Sequence, residues 1–405
     1  MRLLVVHDKP RHELGGMNDI IAAQGALLRE AGWQLSELVC TPQAQPDSLH
    51  LAPSGRRLGL VMLDRLRGLL DRLQPDAVLL HSVYYALGPW ALTQLGRQRP
   101  LIYQLHDVTP WCPRQTRLTR DGQPCLRRQG PACVLGGCYR LGEQGGWASD
   151  AHGLLMRALQ QQAAQCVPQW LVPSHYLAGL LRQHGVAPSR IAVLPHFVAG
   201  LPPTPGPPQP GRLLFAGRLV AEKGLRLLLQ ALAQLQTSHW SLHVAGDGPE
   251  RAALEALAAG QGWADRVRWC GRLSAAALAV EYAQAEVVVM PSLIPEAFGL
   301  VGLQAMGYGR PVVGFLSGGM AEWLRDGDNG RVASWGNAAA LAQALDELLA
   351  RPELARALGL RGRARAEQEF GAAAYSRRLQ RLIEQCIARQ GGGPRTAAPA
   401  QAAAP

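Results

Sequence analysis

The residues with the densest chemical content are Pro295-Glu296-Ala297-Phe298-Gly299-Leu300-Val301-Gly302-Leu303-Gln304-Ala305-Met306, followed by Gly309-Arg310-Pro311-Val312-Val313. They set a carboxylate, Glu296, beside a glycine-containing turn that opens a helix. Free backbone N–H groups at a helix start attract phosphate. A carboxylate next to them repels that phosphate and is suited instead to accepting hydrogen bonds from hydroxyls. Diphosphate and hydroxyls carried on one ligand describe a nucleotide sugar.

Other candidates surround this string. Gly217-Arg218-Leu219 and Glu222-Lys223-Gly224 follow an apolar run, where two cations at a strand's carboxyl end can neutralise a pyrophosphate leaving group. Taken alone, they read better as exposed loop side chains. Gly246-Asp247-Gly248-Pro249 follows the next apolar run, and its glycines permit a tight turn and close backbone approach. Ser317-Gly318-Gly319 with Glu322, and Asp326-Gly327-Asp328-Asn329-Gly330, read as architectural turns. The first half offers Gly15-Gly16 after its opening apolar run, His81 ending a later one, and His106-Asp107 ending the next.

In this order the strings resemble the signature of retaining glycosyltransferases of the GT-B fold, the group usually called family 4. The resemblance spans nearly all of residues 212 to 330 and is looser before that. It implies that Arg218 and Lys223 hold a donor diphosphate and that Gly246, Asp247 and Gly248 lie near the nucleotide. It places Glu296 on the hydroxyls of the transferred sugar, with Phe298 and the amides of Gly299, Leu300 and Val301 at the phosphates. Gly15 and Gly16 would let the acceptor-side domain reach those phosphates, and His106 would stand near sugar and acceptor. The family carries a second glutamate, which binds ribose, eight positions after the first; this chain has Gln304 there. An amide offers one acceptor oxygen and weaker bonds, about 1 kcal/mol less, so weakened donor binding with retained chemistry is expected.

The implied reaction transfers a sugar from a nucleotide-diphosphate-sugar donor with its anomeric configuration kept, to a glycan or lipid-linked acceptor, in cell-surface polysaccharide or lipopolysaccharide biosynthesis. The cations serve the leaving group without a metal, no D-x-D motif stands where it suggests a divalent ion, and no cofactor is required. The catalytic set is then His106, Arg218, Lys223 and Glu296.

The elements that must position these groups follow from apolar periodicity. Arg2 to His7, Ala77 to His81, Leu101 to His106, Trp170 to Pro173 and Ile191 to Leu194 are short apolar runs, and Asp19 to Ala31 has helical spacing. A second series runs through Arg212 to Gly217, Ser241 to Gly246, Val267 to Cys270, Glu286 to Met290 and Pro311 to Gly314. Such alternation predicts an α/β fold of two doubly wound, parallel-sheet, Rossmann-like domains facing across a cleft. We place the first at residues 1–199, with a Cys-rich insertion at 108–150. A Pro-rich linker at 200–211 follows, then a nucleotide-sugar domain at 212–390 whose last helix crosses back, and a disordered tail at 391–405.

A chain of 405 residues is long enough for two cores, and no apolar run approaches the roughly 20 residues that span a bilayer. The first apolar run is too short for a signal peptide, so a cytoplasmic protein, peripheral on the inner face of the membrane, is expected. A formal charge of +11 favours anionic partners, although an arginine-rich coding bias explains it equally well. Arg56, Arg57, Arg65, Arg67 and Arg72 along Leu58 to Leu73 suggest an anionic membrane surface; the plainer reading is a surface helix with snorkelling arginines. The basic run Arg361 to Arg389 reads as a solvated face, and no nucleic-acid motif is present.

Cys112, Cys125, Cys133 and Cys138 fall in one Gly-, Pro- and Arg-rich segment after His106. Four thiols there suit a closed structural zinc site, although the close Cys pairs usual for zinc are missing and free or redox-active thiols are the alternative. The competing reading for the whole chain is a nucleotide-sugar-binding protein without turnover, which rests on Gln304.

Overall fold

A computed structural model of the chain describes residues 1–8, 16–40, 49–50, 60–81, 92–139, 147–198 and 206–390. Gly15, Arg56, Arg57, the tail and the first half of the Pro-rich linker lie outside these residues.

Two all-parallel sheets form the two lobes. The first comprises β1 (Arg2–His7), β2 (Gln34–Val39), β3 (Leu49–His50), β4 (Ala77–His81), β5 (Leu101–Gln104), β6 (Gln169–Val172) and β7 (Ile191–Val193). The second comprises β8 (Arg212–Ala216), β9 (Ser241–Ala245), β10 (Val267–Gly271), β11 (Val287–Met290), β12 (Val312–Phe315) and β13 (Gly330–Ala333). The spatial orders are β3-β2-β1-β4-β5-β6-β7 and β10-β9-β8-β11-β12-β13. Strands flanked by helices on both faces are buried on both faces, which is why the central ones read as unbroken Val and Leu. Leu4, Val6, Val78 and Leu80 pack in one cluster of the first lobe, and Leu3, Ala77 and Leu79 in another. Leu213, Val287 and Val313 divide in the same way from Leu214, Val288 and Val312 in the second.

Each sheet reverses its winding once, between β1 and β4 and between β8 and β11. Ligands of doubly wound sheets bind beyond the carboxyl ends of the strands at such a reversal. In the first lobe the two strands there end on His7 and His81, which are register partners. In the second they lead into the Gly217-Arg218 loop and into Pro291 and Ser292.

The lobes touch near these points. The Ser174 hydroxyl caps the helix His175–Gln183 of the first lobe and also donates to the Ala297 carbonyl of the second at 2.7 Å. Glu322 of the second lobe accepts from the His175 backbone N–H. At the rear, Val198 N–H donates to the Phe370 carbonyl, and the helix Ala372–Arg389 returns to the first lobe, where Tyr375, Leu379 and Ile383 join its core. The Tyr375 hydroxyl accepts from the Gln104 amide at 3.2 Å.

Two surface expectations change. The basic run near the C-terminus is not wholly solvated: Arg363 and Arg365 are buried, and Arg365 donates to the Trp323 and Glu322 carbonyls, tying its helix to the loop that meets the first lobe. In the helix Leu60–Leu73, Leu66, Leu69 and Leu70 are buried in the core while Arg65, Arg67 and Arg72 stay exposed. Among the described residues that apolar face is already used by the protein, and Arg65, Arg67 and Arg72 are what it leaves exposed. Among the described residues, no helix is long and apolar enough to cross one.

Candidate active site

Between the facing strand ends lies a cavity of about 360 Å³. Gly16, His106 and His196 of the first lobe line it, together with Arg218, Lys223, Ser292, Glu296 and Phe298 to Val301 of the second. Sequence positions up to 285 residues apart, from Gly16 to Val301, thus meet in one hollow of a size ordinary for small-molecule sites.

Glu296 is part of this wall. Its Oε1 accepts from Lys223 Nζ and from Ser292 Oγ, each at 2.6 Å. Burial alone would raise the Glu296 carboxyl, but the charge and hydrogen bond of Lys223, the Ser292 hydroxyl and the charge of Arg218 outweigh it and hold the carboxyl below its usual range. The acid is therefore ionised at neutral pH. Lys223 and Ser292 both donate to Oε1, which leaves Oε2 the better placed oxygen to receive a ligand hydroxyl.

The helix Leu300–Gly307 begins at this wall. Its N-cap, Gly299, has φ 88°, a left-handed conformation that favours glycine, and no side chain caps the first amides. Uncapped N–H groups and the helix dipole together make an anion site. The turn is fixed from behind: Trp323 Nε1–H donates to the Phe298 carbonyl at 2.6 Å, and Gly319 N–H donates to the Glu296 carbonyl at 2.6 Å. Gly16 approaches the same helix so closely that a Cβ there would lie 2.9 Å from Leu300 Cδ1.

The loop Gly246-Asp247-Gly248 does not line the cavity. It lies beneath the Arg218 loop: Leu219 N–H donates to the Asp247 carbonyl, and Gly246 packs where a Cβ would strike the Gly217 carbonyl oxygen at 1.8 Å. Gln304, one turn beyond Leu300, is also outside the lining. Its Oε1 accepts from the Tyr282 hydroxyl at 3.0 Å, so the amide's single acceptor is already engaged.

Sequence reasoning misses Ser292, His196 and Ser174. Ser292 stands four residues before Glu296, a spacing that signals contact on a helix but not in the loop found here. His196 is visible in the sequence only as part of the stretch leading to the linker, and Ser174 only as part of the stretch after a strand.

The cysteines are placed as follows. All four thiols of the insertion are free. Cys112 Sγ accepts from the Arg117 N–H at 3.4 Å, and Cys138 N–H donates to the Cys133 carbonyl. Burial and the neighbouring Cys133, Cys112 and Cys125 push the Cys138 thiol up, which puts the four in one electrostatic neighbourhood. Among the described residues, the group with three ligand atoms within 4.8 Å is a different one, His243, Cys270 and Glu281. There Arg212 donates to Glu281 at 2.5 Å and lies 3.0 Å from the His243 ring, so the carboxylate is already neutralised by a guanidinium.

Comparison with known proteins agrees with this geometry. Residues 15–199 match the family model Glycosyltransferase Family 4, and residues 210–351 match Glycosyl transferases group 1. The chain is 34% identical over 227 residues to a D-inositol 3-phosphate glycosyltransferase of Geodermatophilus obscurus, covering 50% of this chain and 48% of that protein. It is 35% identical over 154 residues to a GDP-mannose-dependent alpha-(1-6)-phosphatidylinositol monomannoside mannosyltransferase of Mycolicibacterium smegmatis, covering 36% and 40%. The match therefore spans about half or less of the length of these relatives. Among solved structures it resembles a sucrose-phosphate synthase from Thermosynechococcus elongatus (TM-score 0.69, 20% identity, 96% of this chain and 99% of that one). It also resembles Anabaena HepE in complex with UDP and glucose (TM-score 0.66, 17% identity, 95% and 100%). With two facing parallel sheets and both family models matched in succession, the chain belongs to the family 4, group 1 glycosyltransferases of the GT-B fold.

Proposed function

We propose that the protein transfers a sugar from a nucleoside-diphosphate-sugar donor to a hydroxyl of a glycan or lipid-linked acceptor, with retention at the anomeric carbon and in the service of cell-surface polysaccharide assembly. The observation that carries this reading is the meeting of Lys223, Arg218, Glu296 and the uncapped amides of Gly299 to Val301 in one interlobe cavity. The cations and amides suit the diphosphate, and the ionised Glu296 suits the sugar hydroxyls.

As the bond from the anomeric carbon to the phosphate oxygen breaks, its electron pair passes to the diphosphate, where Arg218 and Lys223 balance the charge. The acceptor oxygen forms its bond on the same face, and its proton goes to the departing phosphate. In this scheme Glu296 positions the sugar and stabilises positive charge developing on it; it forms no bond to the substrate. No protein general base and no metal is required. His106, on the opposite lobe, faces the sugar and acceptor. Among the described residues, the exposed Arg65, Arg67 and Arg72 are the groups that would meet an anionic membrane surface.

A thermal-shift screen against UDP-, GDP-, ADP- and dTDP-sugars tests the donor class. One of them should raise the melting temperature and be consumed when an acceptor is supplied, since a ligand that binds only the folded form stabilises it. No shift with any of them contradicts the reading. Binding without turnover, including hydrolysis, would favour the inactive alternative.

The insertion is proposed as a zinc site on the strength of its four neighbouring thiols. Metal binding there would have to draw the sulfurs together. One zinc per chain is the expected result of metal analysis on purified protein; a metal-free, well-folded preparation ends the proposal.

A further inference from the structure

The cleft histidine does not stand alone. Three buried imidazoles lie in a row behind the sugar side of the cavity. His81 Nδ1 is 2.9 Å from His106 Nε2, and these two rings stack at 5.2 Å. On its other side His106 stacks on His196 at 5.6 Å, with 5° between the planes. His196 in turn meets the edge of Phe298, in the loop that carries Glu296. His106 and His196 line the cavity, whereas His81 is only 1% exposed and does not. The proposed reaction gives His81 nothing to do.

We propose that His81 is a positioning residue that fixes the ring orientation and the tautomer of His106 at the cleft. The inference rests on the reading of the cleft as the transfer site, and it adds a residue that never touches substrate.

Burial holds His81 far down, at about 3, and holds His196 at about 4. His81 is thus neutral at any working pH and has one N–H to place. Where His81 Nδ1 carries the proton, it donates to His106 Nε2, and a neutral His106 must then carry its own proton on Nδ1. Where His106 Nε2 carries the proton, the donation runs the other way, and His106 Nδ1 becomes an acceptor. Either way the character of His106 toward its surroundings is coupled to His81, as a metal-ligating histidine is coupled to its outer partner. The two stacked neighbours confine the ring to one plane. Position follows from the fold: β4 and β5 are adjacent and parallel, and His81 is the last residue of β4, at the point where the sheet reverses its winding. A histidine there reaches the segment that follows β5 without entering the cleft.

The test compares His81→Leu, which keeps the bulk and removes the bond, with His81→Asn, whose amide places a polar atom near the Nδ1 position. Donor turnover, nucleoside-diphosphate binding and the nitrogen chemical shifts of His106, assigned with a His106→Gln variant, are read on each folded protein. In the wild type His106 should show a single tautomer. His81→Leu should mix the tautomers and lower kcat by about 10- to 100-fold while diphosphate affinity changes less than about threefold. His81→Asn should restore one tautomer and most of kcat. An unchanged His106 tautomer in His81→Leu, or an Asn variant as impaired as the Leu variant, overturns the proposal. Should His81→Leu not fold, His81→Asn decides: one tautomer supports the assignment and a mixture overturns it. The nitrogen spectra require no turnover, so a failure of the transferase reading would show as an inactive wild type and would not be confused with a failure of the His81 assignment.

Discussion

Replacing Lys223 by alanine is expected to lower turnover by about 100- to 1,000-fold, the range seen when one preorganised donor to a developing anion is removed. The side chain does two things at once. It faces the cavity as a cation, and its Nζ lies 2.6 Å from Glu296 Oε1. Without it Glu296 keeps its burial but loses the largest of the influences that lower its pKa, leaving Ser292 and the charge of Arg218. The sign of the pH effect follows. In the wild type the carboxyl lies below its unfolded value, so its stabilising contribution is complete at neutral pH and is lost only as acid passes through the depressed pKa. In Lys223→Ala the carboxyl rises, and the acidic limb of both stability and activity moves toward neutrality. Steady-state turnover and melting temperature between about pH 4 and pH 8 check both effects. Full activity with an unmoved acidic limb would remove Lys223 from the site.

A second large effect is expected at Gly302, which touches no ligand. A Cβ at this position would lie 2.0 Å from Trp323 Cη2 and 2.8 Å from Met290 Sδ. Trp323 is fully buried and holds the Phe298 carbonyl through its indole N–H, so it cannot withdraw without releasing the turn that presents the amides. Overpacking of this kind costs about 3 kcal/mol or more where neighbours are immobile. Gly302→Val should therefore unfold the second lobe several degrees lower and abolish diphosphate binding. Gly260→Ala is the control, because that glycine has nothing within 4 Å of the added carbon. Scanning calorimetry on the two variants gives the comparison; equal melting temperatures would show that the Trp323 wedge is not what holds the turn.

Much of the architecture is legible in the sequence because buried parallel strands must be apolar throughout. Val287 to Met290 and Ala77 to His81 announce themselves in this way. The strand Gln34–Val39 does not: its polar Gln34, Ser36 and Glu37 break both an apolar run and a regular alternation, and only its last two positions are buried. The four-residue strand Gly330–Ala333 is hidden at the end of what reads as a turn. Within the site, Glu296, Lys223, Arg218 and the Gly299 turn can be read from residue type and order. Their partners cannot, because hydrogen bonds such as Ser292 to Glu296 and Tyr282 to Gln304 depend on how loops and helices fold back, not on spacing. The Gly246 loop reads in sequence either as lying near the nucleotide or as an ordinary turn, and its packing against the Gly217 carbonyl beneath Arg218 is not legible from spacing. Burial of Arg363 and Arg365 is likewise invisible in a run that looks uniformly charged.

The central claim is that one diphosphate is gripped from two sides, by side-chain cations and by a helix start. The most direct measurement is a crystal structure of the full chain with a nucleoside diphosphate. The account predicts pyrophosphate oxygens within hydrogen-bond distance of Arg218, Lys223 and at least two of the amides of Gly299, Leu300 and Val301. A nucleotide seated elsewhere, with Lys223 still paired to Glu296 and the helix start facing solvent, would contradict it.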